Sequence, residues 1–392
     1  MGSITSPGSN CFGSTPTLLM VVTEDWYFLS HRLLLALAAK AQGLRVVIAT
    51  GPGRHSARIL DAGLEHRMFA LERKSTNPVG ELRTIASLTV LMREIRPSVV
   101  HLVAAKPIVY GNIAAVFAGW PKVLCAVAGL GYLYLGGGRA RAAMRRVFET
   151  TFKTFVRHRS STRVLVQNCD DADLLLSRGM AAHSQIIKTV GVGVDICRFV
   201  PSPEPPSTPI VILAHTRMLW DKGIGELVEA VRMLRNRPQS PPVLLRLVGD
   251  PDEANPASIS REQLQAWSSF GSVEWLGRRS DITEQLRQCH IACLPSYREG
   301  TPLSLLEAAA VGRAIVTTDV PGCREVVRHE HNGLLVPPRD VMSLARALEK
   351  LAIDGQLRSQ MGKASRYRAE EEFSSNVINA RVLGLYEEMV RR

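Results

Sequence analysis

The sequence predicts an α/β protein built from two doubly wound, Rossmann-like domains that face each other across a cleft. Three observations support this fold class. Short apolar segments alternate with amphipathic helical segments, which is typical of parallel sheets covered by helices on both faces. The alternation stops at a proline-rich segment and then starts again. A length of 392 residues is enough for two domains that each bury a core.

The first domain is predicted over residues 17–200, after a leader of residues 1–16. The leader is rich in Gly, Ser and Pro and lacks the features of a signal peptide, so we expect it to be disordered. Helices are expected at residues 30–42 and 81–95, where apolar residues recur with helical spacing. The predicted strands are residues 18–22, 45–50, 98–103, 123–127 and 164–166.

A second domain is predicted over residues 210–375. Five of the nine residues in 201–209 are prolines, which indicates a stiff linker between the domains. The final segment, residues 376–392, is expected to form a helix that packs back on the first domain. The predicted strands of the second domain are residues 210–214, 243–248, 273–276, 291–294 and 314–317. Ligands of such folds bind at the carboxyl ends of the strands, so we expect the site in the cleft.

The net charge is unevenly distributed between the two halves. Residues 1–200 hold 24 Lys and Arg against 12 Asp and Glu, whereas residues 201–392 hold 24 of each. The whole formal excess of +12 therefore lies in the first half. Such an excess indicates an anionic partner for that half: nucleic acid, acidic lipid or a phosphorylated substrate.

The seven cysteines have no spacing typical of a zinc site, so we expect reduced thiols in a cytosolic protein and no metal. Two Asp-x-Asp triplets, at residues 171–173 and 250–252, are short and common patterns and are not assigned a metal. No run of about 18 uncharged apolar residues is present, so a membrane-spanning helix is not expected.

The most informative segment is residues 295–307, Pro-Ser-Tyr-Arg-Glu-Gly-Thr-Pro-Leu-Ser-Leu-Leu-Glu. It follows an apolar strand and predicts a helix with Thr301 as its N-cap, Pro302 as its first residue and Gly312 at its end. The free N–H groups at the start of such a helix can bind a diphosphate.

Two glutamates flank this predicted diphosphate site. Glu299 lies in the loop before the helix, and Glu307 lies inside the helix. A carboxylate on either side of an anion site suits a ligand with hydroxyl groups at both ends. A nucleotide sugar, with ribose on one side and hexose on the other, is such a ligand.

Arg217 and Lys222 follow the first strand of the second domain. Two cations at the carboxyl end of a strand, ahead of a helix that begins near Gly225, can neutralise a diphosphate and stabilise it as a leaving group. Taken alone, such a pair is more often a solvated basic turn. Together with Glu299 and Glu307 they favour a diphosphate site.

In the first domain, His101 is predicted at the carboxyl end of an apolar strand, facing the cleft. A lone histidine near a core is usually structural, but this placement favours contact with a sugar hydroxyl. Lys106 follows closely and is a candidate for contact with an acceptor phosphate.

Residues 107–138 carry a single charge and end in a Gly-rich segment that contains Tyr132. The helical segment after it has an apolar stripe and a basic side that includes Arg141, Arg145 and Arg146. This combination suits contact with an anionic membrane surface or a lipid-linked acceptor. The alternative is an ordinary surface helix. Nucleic acid is not expected, because the aromatic residues do not alternate with the cations as in a base-stacking surface.

Together these residues resemble the retaining family 4 glycosyltransferases of the GT-B fold. The Glu-x7-Glu segment is residues 299–307, and the Arg-x4-Lys pair is Arg217 and Lys222. Residues 319–327 and 332–338 also match the family. The resemblance covers nearly the whole chain from residue 17 onward.

A narrower likeness, to bacterial enzymes that extend undecaprenyl-diphosphate-linked sugars, is carried by four short segments. These enzymes build capsule, O-antigen or other glycans and often use UDP-N-acetylgalactosamine. One departure is the first βα loop, residues 23–27, which lacks the Gly-Gly found in much of the family and leaves its contacts open. The four segments are residues 101–107, 129–132, 166–168 and 249–252.

The resemblance implies roles for individual residues. Glu307 is expected to bind the ribose hydroxyls and Glu299 the donor hexose, while Arg217 and Lys222 hold the diphosphate. His101 is expected to touch the donor sugar. The implied reaction retains the anomeric configuration, because the leaving phosphate helps deprotonate the acceptor on the same face, and it needs no metal or cofactor. Further donor contacts are expected from Gly300, Thr301, Leu303 and Ser304.

The sequence therefore predicts a cytoplasmic enzyme, peripheral on the inner face of the plasma membrane. It would move a hexose or N-acetylhexosamine from a UDP-sugar to a polyprenyl-diphosphate-linked saccharide. Three rivals stay open: a nucleotide-sugar 2-epimerase of the same architecture, a transferase with a soluble acceptor, and a silent sugar-binding scaffold. The apolar segment 107–138 argues against the first, and the intact acidic and basic set argues against the last.

Overall fold

The structure is a computed structural model that describes residues 15–71, 78–134, 138–206, 208–238, 240–253 and 255–391. Within these ranges the side chains of residues 78, 131, 132 and 140 are not described. The predicted disordered leader therefore lies outside the described residues, except for Thr15 and Pro16.

The first sheet contains seven parallel strands. They are β1 (Thr17–Val22), β2 (Arg45–Thr50), β3 (Glu65–Met68), β4 (Val99–Val103), β5 (Lys122–Val127), β6 (Thr162–Val166) and β7 (Ile186–Lys188). Their order is β3-β2-β1-β4-β5-β6-β7. The sequence did not predict β3 and β7, because both are short edge strands without a fully buried residue.

The second sheet contains six parallel strands in the described residues. They are β8 (Ile210–His215), β9 (Val243–Val248), β10 (Val273–Trp275), β11 (Ile291–Leu294), β12 (Ala314–Thr318) and β13 (Gly333–Val336). Their order is β10-β9-β8-β11-β12-β13, so the strand order reverses between β8 and β11. Such a reversal opens a crevice at the carboxyl ends of the strands. The predicted fold class is confirmed.

Helices cover both faces of each sheet. Those of the first half are α1 (Asp25–His31), α2 (Leu33–Ala41), α3 (Ser56–Asp61), α4 (Pro78–Ile95), α5 (Ala105–Phe117), α6 (Gly131–Tyr134), α7 (Arg139–Thr151) and α8 (Cys169–Ser177). Those of the second half are α9 (Ile224–Arg235), α10 (Arg261–Ser268), α11 (Ile282–Arg287), α12 (Leu303–Val311), α13 (Cys323–Val326), α14 (Val341–Ile353), α15 (Gly355–Arg368) and α16 (Ser375–Arg391). The predicted helix 30–42 is interrupted at Arg32, whose backbone leaves the helical region.

The strands are apolar throughout because both faces of each sheet are buried. In β1, Leu19 and Val21 belong to one core cluster, whereas Leu18 and Met20 belong to another on the opposite face. Side chains alternate between the two faces of a strand, so one strand supplies both cores. Among the described residues no helix combines the length and the hydropathy needed to cross a bilayer.

The chain enters the second domain earlier than predicted. Val194 and Phe199 are buried in the core of the second domain. The buried guanidinium of Arg313 donates hydrogen bonds to the carbonyls of Ser202 and Pro203, at 2.9 and 3.2 Å. The proline-rich segment therefore lies against the second domain, and the predicted boundary at residue 200 falls inside that domain.

The last helix returns to the first domain. Val382, Leu383 and Tyr386 of α16 are buried in the same cluster as Leu18 and Met20 of β1. The C-terminal segment thus connects the two domains a second time, in addition to the crossing near residue 190.

Candidate active site

The predicted site residues of the second domain meet where the strand order reverses. β8 and β11 are neighbours in the sheet, so the segments after their carboxyl ends lie side by side. His215 ends β8, Lys222 lies in the 3₁₀ turn that follows, and Glu299 lies in the loop after β11. The topology thereby brings together residues that are about 80 positions apart in the chain.

Helix α12 begins slightly later than predicted. Pro302, not Thr301, occupies the N-cap position, and Gly312 ends the helix with a φ of 77°. The hydroxyl of Thr301 donates to the Gln167 carbonyl of the first domain at 3.0 Å, and the helix start has no side-chain cap among the described residues. The predicted helix end at Gly312 is confirmed, because that left-handed backbone favours glycine.

The start of α12 keeps backbone donors available. The first backbone hydrogen bonds of the helix run from Leu305 and Leu306 to the Pro302 carbonyl, at 3.1 and 3.3 Å. The N–H groups of Leu303 and Ser304 precede this turn and lie outside the hydrogen bonding of the helix. These are the groups for which the sequence predicts contact with the donor phosphate.

Glu307 pairs with a histidine that the sequence did not single out. The Nε2 atom of His215 lies 2.8 Å from Oε2 of Glu307, and the two side chains are only 9% and 15% exposed. The histidine fixes the direction of the carboxylate and leaves its second oxygen for another donor. A histidine at the end of an apolar strand, just before Arg217, was the signal that could have identified it.

Glu299 pairs with the predicted cation Lys222. The Nζ atom of Lys222 lies 2.5 Å from Oε1 of Glu299, and both side chains are about 13–14% exposed. The backbone N–H of Glu299 donates to the Pro321 carbonyl at 3.2 Å. Because water has little access to this pair, its electrostatic interaction is stronger than that of a surface ion pair.

Arg217 is more exposed, and it contacts an acid of the Asp-x-Asp triplet 250–252. Its Nη1 atom lies 2.8 Å from Oδ2 of Asp252, and the arginine side chain is 46% exposed. The two loops that carry Arg217 and Asp252 can approach each other because residue 249 is glycine. A Cβ at that position would lie 1.8 Å from the Thr216 carbonyl oxygen. Asp252 thus forms an ion pair with Arg217. Among the described residues, no group of three His, Cys, Asp or Glu side chains is placed to hold a metal ion.

Two family models match this chain and together span most of it. The model described as glycosyl transferase 4-like matches residues 17–168, and the model described as glycosyl transferases group 1 matches residues 198–368. The chain belongs to the group 1, family 4-like glycosyltransferases. The predicted family and the predicted enzyme class are confirmed.

Curated relatives and a solved structure agree with this assignment. The chain is 29% identical to the N,N'-diacetylbacillosaminyl-diphospho-undecaprenol α-1,3-N-acetylgalactosaminyltransferase of Campylobacter jejuni, over 93% of this chain and 98% of the relative. It is 23% identical to the UDP-Gal:α-D-GlcNAc-diphosphoundecaprenol α-1,3-galactosyltransferase of Escherichia coli, over 80% and 81% of the two chains. A glycosyltransferase structure from Rickettsia africae has the same fold, with a TM-score of 0.77 at 18% identity over 96% and 99%.

His101 does not face the cleft of the transferase. His101 lies in the middle of β4, is 0% exposed, and its Nδ1 atom is 2.5 Å from the Tyr386 hydroxyl of α16. Burial, reinforced by the nearby charge of Arg32, holds the pKa of His101 well below its usual value. The predicted orientation is wrong, because this strand position points to the face covered by α16.

Lys106 lies beside a strained backbone in the transferase. Ala104, just after β4, has a φ of 74° and a ψ of 167°, a region that residues other than glycine rarely occupy. Lys106 follows in the first turn of α5, and its Nζ lies 3.2 Å from Oε1 of Glu81. Strain of this kind occurs at functional sites, and here it lies where the strand order of the first sheet reverses.

Helix α7 of the transferase and the π turn that continues it (Phe152–Val156) expose a row of cations. Arg139, Arg146 and Lys153 are exposed at intervals of seven residues, whereas the predicted Arg141 and Arg145 are half-buried. The side chain of Tyr132, also predicted here, lies outside the described residues. An open depression of about 550 Å³ adjoins the row and is lined by Arg139, Ala142, Ala143, Arg145, Arg146, Glu149 and Arg178.

Proposed function

We propose that this transferase moves a hexose or N-acetylhexosamine from a UDP-sugar to a polyprenyl-diphosphate-linked saccharide, with retention of configuration. The observation that carries the proposal is the similarity to the Campylobacter jejuni enzyme along 93% of the chain. That enzyme and the Escherichia coli relative are both named for diphospho-undecaprenol acceptors, and the latter also for a UDP-linked donor.

The donor site supports the same proposal chemically. Glu307, held by His215, accepts hydrogen bonds from the ribose hydroxyls. Arg217, Lys222 and the free N–H groups at the start of α12 surround the diphosphate. Each cation already contacts a carboxylate, so binding of the diphosphate exchanges or shares these contacts.

In the transfer step the bond between the anomeric carbon and the diphosphate oxygen breaks. The acceptor hydroxyl oxygen bonds to the anomeric carbon on the same face, and its proton passes to the leaving diphosphate. Lys222 and Arg217 stabilise the charge that develops on the leaving group, and Glu299 orients the hexose. In this proposal the cations replace a metal, and no cofactor takes part.

The charge of the first domain supports an acceptor in a membrane. The exposed row of Arg139, Arg146 and Lys153 is suited to anionic lipid headgroups, with about 1 kcal/mol available per cation near such a surface. We therefore propose that the transferase is cytoplasmic and lies peripherally on the inner face of the plasma membrane. In this proposal the enzyme and its lipid-linked acceptor lie at the same membrane surface.

A panel assay tests the proposal. Radiolabelled UDP-sugars are each incubated with a short polyprenyl-diphosphate sugar, with a soluble sugar phosphate, and without acceptor. We expect transfer to the lipid-linked sugar from one or a few donors. Transfer only to the soluble acceptor would overturn the lipid-linked part of the proposal. Epimer formation without acceptor would favour the epimerase, and inactivity in every arm would favour a sugar-binding scaffold.

A further inference from the structure

The loop that carries Glu299 is held by the first domain on both sides of the glutamate. Asn168 donates from Nδ2 to the Gly300 carbonyl at 2.9 Å, and Thr301 donates to the Gln167 carbonyl at 3.0 Å. The backbone of Gly300 also lies so close to the first domain that a Cβ on it would be only 2.6 Å from the Ala128 carbonyl oxygen. The loop therefore packs directly against the carboxyl ends of β5 and β6.

An ion pair anchors the residue before the glutamate. Arg298 donates from Nη2 to Oδ1 of Asp171 at 2.7 Å, and the Asp171 side chain is 0% exposed. Asp171 is itself fixed by its own domain. The side-chain amide of Asn168 donates to Oδ2 of Asp171 at 3.0 Å. The backbone N–H of Asp171 donates in return to Oδ1 of Asn168 at 2.7 Å.

Asp171 thus presents a rigid, buried carboxylate to a single loop of the opposite domain. Burying a carboxylate costs free energy unless the charge is paired. Contact between the two domains is therefore most stable when Arg298 pairs with Asp171. The sequence pattern alone placed Asp171 in a common acidic triplet at a helix start, where its charge suits the helix dipole. The structure gives that charge a specific partner 127 residues away.

We propose that Asp171 is a positioning residue of the transfer reaction. Through Arg298 it holds the loop so that Glu299 reaches the donor hexose only when the two domains are engaged. The inference rests on the proposed function. Donor binding and transfer then depend on different contacts, because Glu307, His215 and Lys222 all belong to the second domain.

A neighbouring contact provides a matched control. Asp170 also lies in the first turn of α8, and its carboxylate is 3.9 Å from Nη1 of Arg324 in the second domain. Its side chain is 35% exposed, and among the described residues its ion pair is with Arg324 and not with the Glu299 loop. Asp170→Asn therefore removes one charge from the same helix turn and the same domain junction without releasing the loop.

The test compares Asp171→Asn with Asp170→Asn in the full chain. Turnover is measured with the donor found in the panel assay, UDP affinity by calorimetry, and folding by thermal unfolding. We expect kcat to fall about 100-fold in Asp171→Asn, as for a small misplacement of a reacting group, with UDP affinity within about twofold of wild type. Asp170→Asn should keep wild-type kcat.

Arg298 supplies the second half of the experiment. Arg298→Gln should lower kcat as Asp171→Asn does, and Arg298→Lys, which keeps the charge, should lower it less. The double variant Asp171→Asn, Arg298→Gln should be no slower than the worse single variant, because both remove one interaction. Multiplied losses, or wild-type kcat in Asp171→Asn, would overturn the proposal. If Asp171→Asn does not fold, the two Arg298 variants decide the question in the same way.

A readout without turnover separates this inference from the proposed function. Hydrogen–deuterium exchange of the backbone amides at residues 299–301 should be faster in Asp171→Asn than in Asp170→Asn. An inactive wild-type chain would contradict the proposed function alone. Unchanged exchange at the loop would contradict the positioning role alone.

Discussion

Glu299 and Glu307 are the same chemical group in different surroundings. Glu307 contacts the imidazole ring of His215, whereas Glu299 contacts the ammonium group of Lys222. In the proposed reaction, Glu307 uses its second carboxylate oxygen for the hydroxyl groups of the ribose. In the same proposal, Glu299 shares Lys222 with the leaving diphosphate.

These surroundings predict different kinetic effects for two substitutions. Glu307→Ala should raise the donor KM about 10- to 100-fold with little change in kcat, because a charged hydrogen bond to the ribose is lost. Glu299→Ala should mainly lower kcat, by about 100-fold, because its contact matters most in the transition state. Steady-state kinetics with UDP calorimetry distinguish the two.

Glu330→Ala is a suitable control for both variants, since Glu330 is an exposed acid of the same domain whose ion pair among the described residues is with Lys350. It should retain wild-type kinetics. Wild-type kcat in Glu299→Ala would remove the role assigned to that residue.

At the scale of single elements, α7 combines a buried and an exposed face. Phe148 packs in the core of the first domain, as does Phe152 in the π turn that continues the helix. Arg139, Arg146 and Lys153 form the exposed row, with about 10 Å of helix between neighbours. The acid of this helix, Glu149, pairs with Arg178 at 3.1 Å and not with a cation of the row.

The row predicts binding to anionic membranes. Replacing Arg139, Arg146 and Lys153 together with Gln should reduce flotation with vesicles that contain an anionic lipid. Three cations at about 1 kcal/mol each correspond to a loss of about 100-fold in partitioning, and the wild-type affinity should fall as salt is raised.

The control has the same change in net charge on the other domain. Arg261, Arg346 and Lys363 are exposed in the second domain, and their triple Gln variant should float as the wild type does. Equal losses in the two triple variants would show a dependence on total charge alone and would contradict a surface centred on α7.

At the scale of the whole molecule, α16 ties the end of the chain to the first sheet. Its Tyr386 contacts His101 across 285 residues of sequence. Both side chains are buried. The Tyr386 hydroxyl is the partner of Nδ1 of His101, whereas Nε2 of the same ring has no hydrogen-bond partner among the described residues. This contact makes His101 part of the packing between α16 and the sheet.

Tyr386→Phe should therefore lower stability without changing the donor site. Loss of one buried hydrogen bond costs about 1–2 kcal/mol, which corresponds to a fall of about 2–8 °C in the unfolding temperature of a domain of this size. UDP affinity should stay at its wild-type value. Thermal unfolding measures the stability, and calorimetry measures the UDP affinity. Weaker UDP binding with an unchanged unfolding temperature would contradict a structural role and support a role of His101 in the active site.

Local patterns were enough to predict much of this protein. Buried strands are continuous apolar segments because both faces are covered, and the end of α12 was identified from Gly312, whose left-handed backbone is a local property. The helix that carries Glu307 was predicted for the same reason, since its end depends on a short stretch of chain. These features depend on neighbours in sequence.

Only the tertiary structure decided the partners and the directions of the side chains. The sequence did not show that His101 faces α16, that Glu307 pairs with His215, or that Asp171 pairs with Arg298. Three edge strands were not predicted: β3 and β7, because exposed strands carry little apolar pattern, and the four-residue β13, which begins with a glycine. A side chain's environment is set by which element covers its face of the sheet, and here that element comes from residues far away in the chain.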